Sequence, residues 1–90
     1  MITIWKFEIP PADGLILKLP RGTRFLSVQT QYERVQSWWL VDPDAPTVKR
    51  EFRVYETGAP VRDAERLVFL GTFQLLDRAG TLVFHLFEVA

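Results

Sequence analysis

The chain has 90 residues, of which 48% are hydrophobic, and its 11 Lys and Arg balance its 11 Asp and Glu. A chain of this length supports one hydrophobic core, so we expect a single domain over residues 1–90. The apolar content excludes an intrinsically disordered chain, and the absence of excess positive charge disfavours general nucleic-acid binding.

The first segments of the chain alternate apolar and polar residues with a period of two, which is typical of half-buried β-strands. Ile2–Ile9 is the first such segment, and Pro10 ends it because proline cannot donate to a strand ladder. A second strand over Leu15–Leu19 follows a turn at Asp13–Gly14. These two neighbouring strands could pair as a hairpin.

Two further strands flank a tight connection at Tyr32–Arg34. Phe25–Gln31 has a polar outer face, whereas Val35–Val41 is apolar on both faces, as in a central strand. Within it, Trp38 and Trp39 must point to opposite faces of the sheet. Either one indole is exposed, where it could stack on a base or anchor a protein contact, or both faces of the strand are covered.

The middle of the chain predicts a loop, a strand and a long break in the pattern. Asp42–Pro46 is rich in proline and aspartate, which predicts a loop. Val48–Tyr55 alternates as a fifth strand with a mixed charged face. That face carries Lys49, Glu51, Arg53 and Tyr55. Glu56–Glu65 then predicts a flexible segment or a binding loop, with room for a short helix within Pro60–Arg66.

The last third predicts two more strands. Leu67–Leu75 contains Gly71, whose missing side chain would permit a bulge or a close backbone approach. Leu76–Gly80 is typical of a hairpin loop, and Leu82–Val89 is apolar on both sides. About seven strands at a spacing of roughly 8–12 residues predict an all-β fold, either a small antiparallel sandwich or a partly open barrel.

No pattern in the sequence predicts a catalytic site. The single histidine, His85, lies in an apolar strand, where a hydrogen-bonded structural role is the favoured interpretation. No metal-ligand spacing joins it to acidic residues such as Asp42, and the chain has no cysteine. Nucleophile-elbow, phosphate-loop and dinucleotide motifs are also missing from the sequence. We therefore predict a protein that is not an enzyme and has no cofactor or metal.

Seven short motifs follow one another along nearly the whole chain. They are IWKF at 4–7, LPRG at 19–22, LSVQ at 26–29, WLVDP at 39–43, RVYETG at 53–58, GTFQ at 71–74 and VFHLFE at 83–88. In this order they resemble a family of small uncharacterised proteins encoded by bacteriophages and prophages. The resemblance implies a viral accessory context and brings no catalytic residues with it.

These observations together favour a protein that acts by binding. We expect a non-enzymatic phage accessory protein that binds a bacterial host protein in the host cytoplasm, as an anti-defence or host-takeover factor. The predicted partner-binding residues are Trp38, Arg53, Tyr55, Thr57, Gly58 and Pro60. No membrane association is expected, because no segment approaches the roughly 18 apolar residues of a membrane helix.

Two other functions fit the same sequence. One is a nucleotide-binding sponge, in which arginine side chains hold phosphate and an aromatic ring stacks on a base. The other is a structural phage module that assembles into homo-oligomers, since an unprotected edge strand can pair across a twofold axis.

Overall fold

The alternating segments form β-strands in a computed structural model that describes residues 1–78 and 80–90. The strands are β1 (Thr3–Ile9), β2 (Gly14–Pro20), β3 (Arg24–Gln31), β4 (Arg34–Val41), β5 (Thr47–Glu56), β6 (Leu67–Asp77) and β7 (Gly80–Val89). A single 3₁₀ turn spans Ala64–Arg66, within the stretch predicted to hold a short helix. These seven strands confirm the predicted all-β class. The predicted loop Leu76–Gly80 includes Ala79, which lies outside the described residues.

The strands form two antiparallel sheets that pack as a sandwich and do not close into a barrel. Sheet I has the order β1-β4-β3, and sheet II has the order β2-β5-β7-β6. The predicted hairpin of the first two strands is wrong, because β1 pairs with β4 and β2 pairs with β5. Pro10–Asp13 instead carries the chain from sheet I to sheet II, since neither of its prolines can donate to a ladder.

The core between the sheets is centred on Trp39 of β4, which is completely buried. Its ring meets Phe25 of sheet I and Phe52 of sheet II edge to face, with centroid distances of 5.2 Å and 5.3 Å. The Trp39 Nε1–H donates to Ser37 Oγ at 2.8 Å, and the Ser37 hydroxyl donates to the Phe7 carbonyl oxygen at 2.8 Å. A large apolar ring is thus buried with its one polar atom satisfied.

A half-buried ion pair joins two strands of sheet II beside this core. The Nε and Nη2 atoms of Arg50 donate to the two carboxylate oxygens of Glu88 at 2.6 Å and 2.7 Å. Its Nη1 donates to the Thr23 carbonyl oxygen at 2.6 Å, and its guanidinium lies 5.8 Å from the Trp39 ring centroid. These hydrogen bonds to Glu88 raise the pKa of Arg50 above its usual value, although burial opposes the shift. The bidentate pair therefore holds a permanent charge against the aromatic core.

Gly71 produces both features predicted for it. The register between β6 and β7 shifts between Phe69 and Gly71, which leaves Leu70 as the extra residue of a bulge. A Cβ atom at Gly71 would lie 2.7 Å from Val28 Cγ1 of β3. The missing side chain thus lets sheet II approach sheet I at this corner, where the Thr30 hydroxyl also donates to the Gln74 carbonyl oxygen.

The β3–β4 hairpin closes through the two residues Tyr32 and Glu33, close to the predicted tight connection. Gln31 pairs with Arg34, and the two residues between them have φ values of 52° and 67°. Positive φ at both central positions defines a type I′ turn, which asparagine and glycine adopt readily. Tyrosine and glutamate adopt it only with steric strain.

Replacing Gly71 with alanine should destabilise the fold by about 1–3 kcal/mol, because the new methyl group overlaps a buried valine. Urea denaturation measures the change in the free energy of unfolding. Combining Gly71→Ala with Val28→Ala should cost less than the sum of the two single changes, since the valine methyl group is the atom in conflict. Strictly additive effects would show that the close approach is not the reason for glycine.

Replacing Tyr32 and Glu33 with Asn-Gly should raise the free energy of unfolding by about 1 kcal/mol, because both positions need a positive φ. Tyr32 is 93% exposed, so little packing is lost. Tyr32→Val is the matched opposite change, since a β-branched residue is least tolerant of this conformation. A lower stability of the Asn-Gly variant in the same urea experiment would contradict the assignment of strain.

Candidate binding cleft

A long crossover connection covers part of the outer face of sheet II. Strands β5 and β6 both pair antiparallel with β7, so they run parallel to each other on either side of it. Strand β5 ends where Glu56 pairs with Phe84, whereas β6 begins where Leu67 pairs with Val89. The chain over residues 57–66 must therefore travel along the second half of β7, from the level of Phe84 to that of Val89. This segment is the break in pattern that the sequence predicted to be a flexible or binding loop.

The start of the crossover is attached to the sheet through His85. Thr57 Oγ1 lies 2.8 Å from His85 Nε2, and Thr72 Oγ1 lies 3.0 Å from His85 Nδ1. The Thr57 amide also donates to the Val83 carbonyl oxygen at 3.0 Å. Both imidazole nitrogens thus have hydroxyl partners, so His85 is hydrogen-bonded, as the sequence predicted.

Gly58 shapes the turn by which the chain leaves β5. The Ala59 amide donates to the Glu56 carbonyl oxygen at 3.0 Å, and Gly58 has a φ of 92°. A positive φ at the third position of a four-residue turn is typical of type II, which favours glycine there. This turn directs Ala59 and Pro60 towards the open end of the sandwich, where both line a cleft.

The middle of the crossover rests on Arg53, whose side chain is only 13% exposed. Its Nη1 donates to the Arg62 carbonyl oxygen at 3.0 Å. Its Nη2 lies 3.8 Å from Asp63 Oδ2, and its Nε lies 3.8 Å from Glu51 Oε2. Arg53 therefore holds the crossover against the outer face of β5 by charge and by a hydrogen bond to its backbone.

Tyr55 follows on the same face, with its ring 6.0 Å from that of Phe87. Its hydroxyl oxygen is shielded from solvent and has no partner at regular hydrogen-bond geometry. Burial raises the pKa of this phenol, but the nearby Arg53 guanidinium and Arg62 outweigh burial, so that the pKa of Tyr55 lies below its usual value. The Tyr55 phenol thus lies beside positively charged groups and is shielded from solvent.

The cleft lies between the sheets, at the end where β1 ends and the β3–β4 hairpin turns. It has a volume of about 750 Å³. Apolar side chains from both sheets form its floor. They are Ile9, Val35, Val54, Phe73, Leu75 and Phe84. Ile9, Val35 and Phe73 belong to the buried core, so Val54, Leu75 and Phe84 form the part of the floor that is open to solvent. A concave surface with an apolar floor is typical of a binding site.

The rim of the cleft carries charges of both signs, and several of them are already paired. Arg34 Nη1 lies 3.2 Å from Glu8 Oε1, and Arg53 contacts Glu51 and Asp63 as described above. The remaining charged residues of the rim are Asp13, Glu33, Glu56 and Arg62. The rim therefore has no excess of unpaired positive charge.

One side of the cleft is an open stretch of strand edge. Strand β2 pairs with β5 only as far as Arg53, and the Val54 amide then donates to the Asp13 carbonyl oxygen at 2.9 Å. Beyond this point, Tyr55 and Glu56 have β7 on one side and no strand of the described chain on the other. Backbone groups of successive strand residues point to opposite sides, so after Val54 it is Glu56, and not Tyr55, that directs its amide to this open side. The Glu56 carbonyl oxygen accepts from Ala59, which leaves the Glu56 amide as the donor open to an added strand.

The structure brings together some of the residues predicted to bind a partner. Arg53, Tyr55 and Pro60 line the cleft, and Thr57 and Gly58 form the turn beside it. Trp38 lies elsewhere, half-buried on the outer face of sheet I, where Lys6 Nζ is 5.8 Å from its ring centroid. The apolar floor was missed by the sequence analysis, because its residues come from several different strands and look like ordinary core positions.

Within residues 1–78 and 80–90, no group of three or more His, Cys, Asp or Glu side chains is arranged to hold a metal ion. The same part of the chain has no helix of the length and hydrophobicity that crossing a lipid bilayer would require.

The Tyr32→Phe variant leaves Tyr55 as the remaining one of two tyrosines. Its tyrosinate absorbance should appear with a midpoint below about 10, the ordinary pKa of tyrosine, because Arg53 favours the phenolate. Arg53→Gln should raise this midpoint, whereas Lys49→Gln, on the same face of β5, should leave it unchanged. A midpoint that does not respond to Arg53→Gln would contradict the assigned cause.

Comparison with known proteins places the chain in a family without assigning it an activity. The model of a domain of unknown function, DUF7352, matches residues 1–90. No curated protein and no solved structure gives a match to this sequence. Because the family model spans all the residues whose fold and cleft are described above, the chain belongs to the DUF7352 family.

Proposed function

We propose that this protein is a non-enzymatic phage accessory protein that binds a bacterial host protein in the host cytoplasm and holds an extended segment of that partner in the cleft. The observation that carries the proposal is the meeting of an apolar floor with the open edge of β5. Its phage origin and its role against host defence or in host takeover rest on the resemblance of its motifs to phage-encoded proteins.

An extended peptide suits this combination of features. A main-chain carbonyl of the peptide can accept from the Glu56 amide, as in strand addition to a sheet. Alternate side chains of such a peptide would then point towards Val54 and Phe84 on the cleft floor. Main-chain hydrogen bonds supply affinity in this mode of recognition, and the apolar pockets supply specificity.

The charges favour a polypeptide over a nucleotide as the ligand. A nucleotide sponge needs guanidinium groups that are free to hold phosphate. Arg62 is one such group of the rim, but it shares the rim with the acidic Asp13, Glu33 and Glu56. Arg34 is paired with Glu8, and Arg53 is engaged by Asp63 and by the Arg62 carbonyl oxygen. A phosphate would have to displace these contacts and would also face the acidic groups of the rim.

Filling the cleft should abolish partner binding. Ala59 is exposed and lines the cleft, so Ala59→Trp places a large ring in it without disturbing the core. Ala64→Trp is the matched control, because Ala64 is also exposed and lies outside the cleft. We expect tagged wild-type protein and Ala64→Trp to recover the same partner from host lysate, and Ala59→Trp to recover at least about tenfold less of it.

Hydrogen exchange with the purified partner then locates the contact. The Glu56 amide, which faces the open side of β5, should become protected in the wild-type complex. Recovery of no specific partner, or equal recovery by both tryptophan variants, would contradict the proposal. Calorimetry with a panel of nucleoside triphosphates tests the alternative function of a nucleotide-binding sponge. Heat of binding that is present in the wild type and lost in Arg53→Gln would favour that alternative.

A further inference from the structure

Strand β1 has one long edge without a partner. It pairs with β4 from Thr3 to Ile9, and it is the outermost strand of sheet I. Among the described residues, no loop backbone donates to or accepts from this strand outside that ladder. Natural edge strands are usually blunted by a proline, a bulge, a covering loop or a charged residue, above all lysine. The seven residues of β1 contain no proline and no bulge, and Lys6 and Glu8 are their only charges.

The two faces of β1 have opposite character. Trp5 and Phe7 point inward and remain half-buried, with their rings edge to face at a centroid distance of 6.2 Å. Lys6 and Glu8 point outward and are exposed. An added strand would therefore cover the two rings on one face and meet two opposite charges on the other.

A twofold axis perpendicular to the sheet restricts how β1 can pair with a second copy of itself. Antiparallel partners related by this axis present the same face, so the axis has to lie midway between the two copies of one residue, on which the register is centred. An axis through Lys6 would place two lysines opposite each other, and an axis through Trp5 would place Lys6 opposite Ile4. An axis through Phe7 places each Lys6 opposite Glu8 of the second copy.

The register centred on Phe7 also matches the inner face. It sets Phe7 opposite Phe7 and Trp5 opposite Ile9, which would shield the half-buried rings from water on both copies. On the outer face, Glu8 lies 3.2 Å from Arg34 and would gain Lys6 of the second copy on its other side. Charge and hydrophobicity therefore select the same register.

We infer that a second copy of this chain pairs along β1 in the register centred on Phe7, which joins the two three-stranded sheets into one continuous sheet of six strands. Strand β2, an edge strand of sheet II, lacks such self-complementarity. Its only charged residue is Lys18, so no register brings opposite charges together. This inference concerns the purified protein alone and does not depend on the binding of a host partner.

Charge reversal tests the interface. Sedimentation velocity of the wild-type protein from about 5 μM to about 500 μM should show a monomer–dimer equilibrium, as expected for a small interface. Lys6→Glu and Glu8→Lys should each raise the dissociation constant of the homodimer at least about tenfold, because each places like charges opposite each other. A mixture of the two variants should form a heterodimer, since one copy then presents two glutamates to the two lysines of the other across the axis.

Lys18→Glu is the matched control, because it makes the same charge change on another edge strand, and it should leave dimerisation unchanged. Circular dichroism verifies that each variant is folded. A wild-type protein that stays monomeric throughout, or a Lys6→Glu variant that dimerises as the wild type does, would overturn the inference. Hydrogen exchange of the wild type provides a test without variants, since the β1 amides that point away from β4 should be protected only at high concentration.

Discussion

The contact of Trp39 with both sheets is the interaction on which the sandwich depends. Its ring touches Phe25 in its own sheet and Phe52 in the facing sheet, and its nitrogen is bonded through Ser37 to the backbone of β1. Removing the ring would leave a large cavity between the sheets, and the Ser37 hydroxyl would lose the donor that it accepts from. The Arg50 guanidinium of sheet II contacts the same ring, which explains why a charged residue occupies a core-facing position.

Away from this central contact, the structure of sheet II is determined by its strand order. The arrangement of β5, β7 and β6 forces residues 57–66 across the outer face of sheet II, where His85 and Arg53 attach them. On the other side of β5, the ladder with β2 stops where Gly14 pairs with Arg53, so β2 does not cover the end of β5. The cleft therefore follows from topology, because a crossover and an unequal pair of strands meet at one corner of the sandwich.

The sequence predicted the local structure well, because local structure depends on neighbouring residues. Period-two alternation located all the described strands, and Gly71 marked both the bulge and the close contact with Val28. Alternation defines which face a residue occupies but not which strand lies beside it. For this reason the hairpin expected of β1 and β2 was wrong, and neither the Arg50–Glu88 pair, 38 positions apart, nor the cleft floor could be predicted.

The position of the last strand has a consequence for how the molecule is made. β7 is an interior strand of sheet II and supplies the ladders of both β5 and β6. During synthesis, those two strands emerge from the ribosome with their inner edges unsatisfied until residues 80–89 have followed. Sheet I contains only earlier strands and can assemble sooner. The nascent chain therefore passes through a stage in which sheet I can form and sheet II still lacks its interior strand β7.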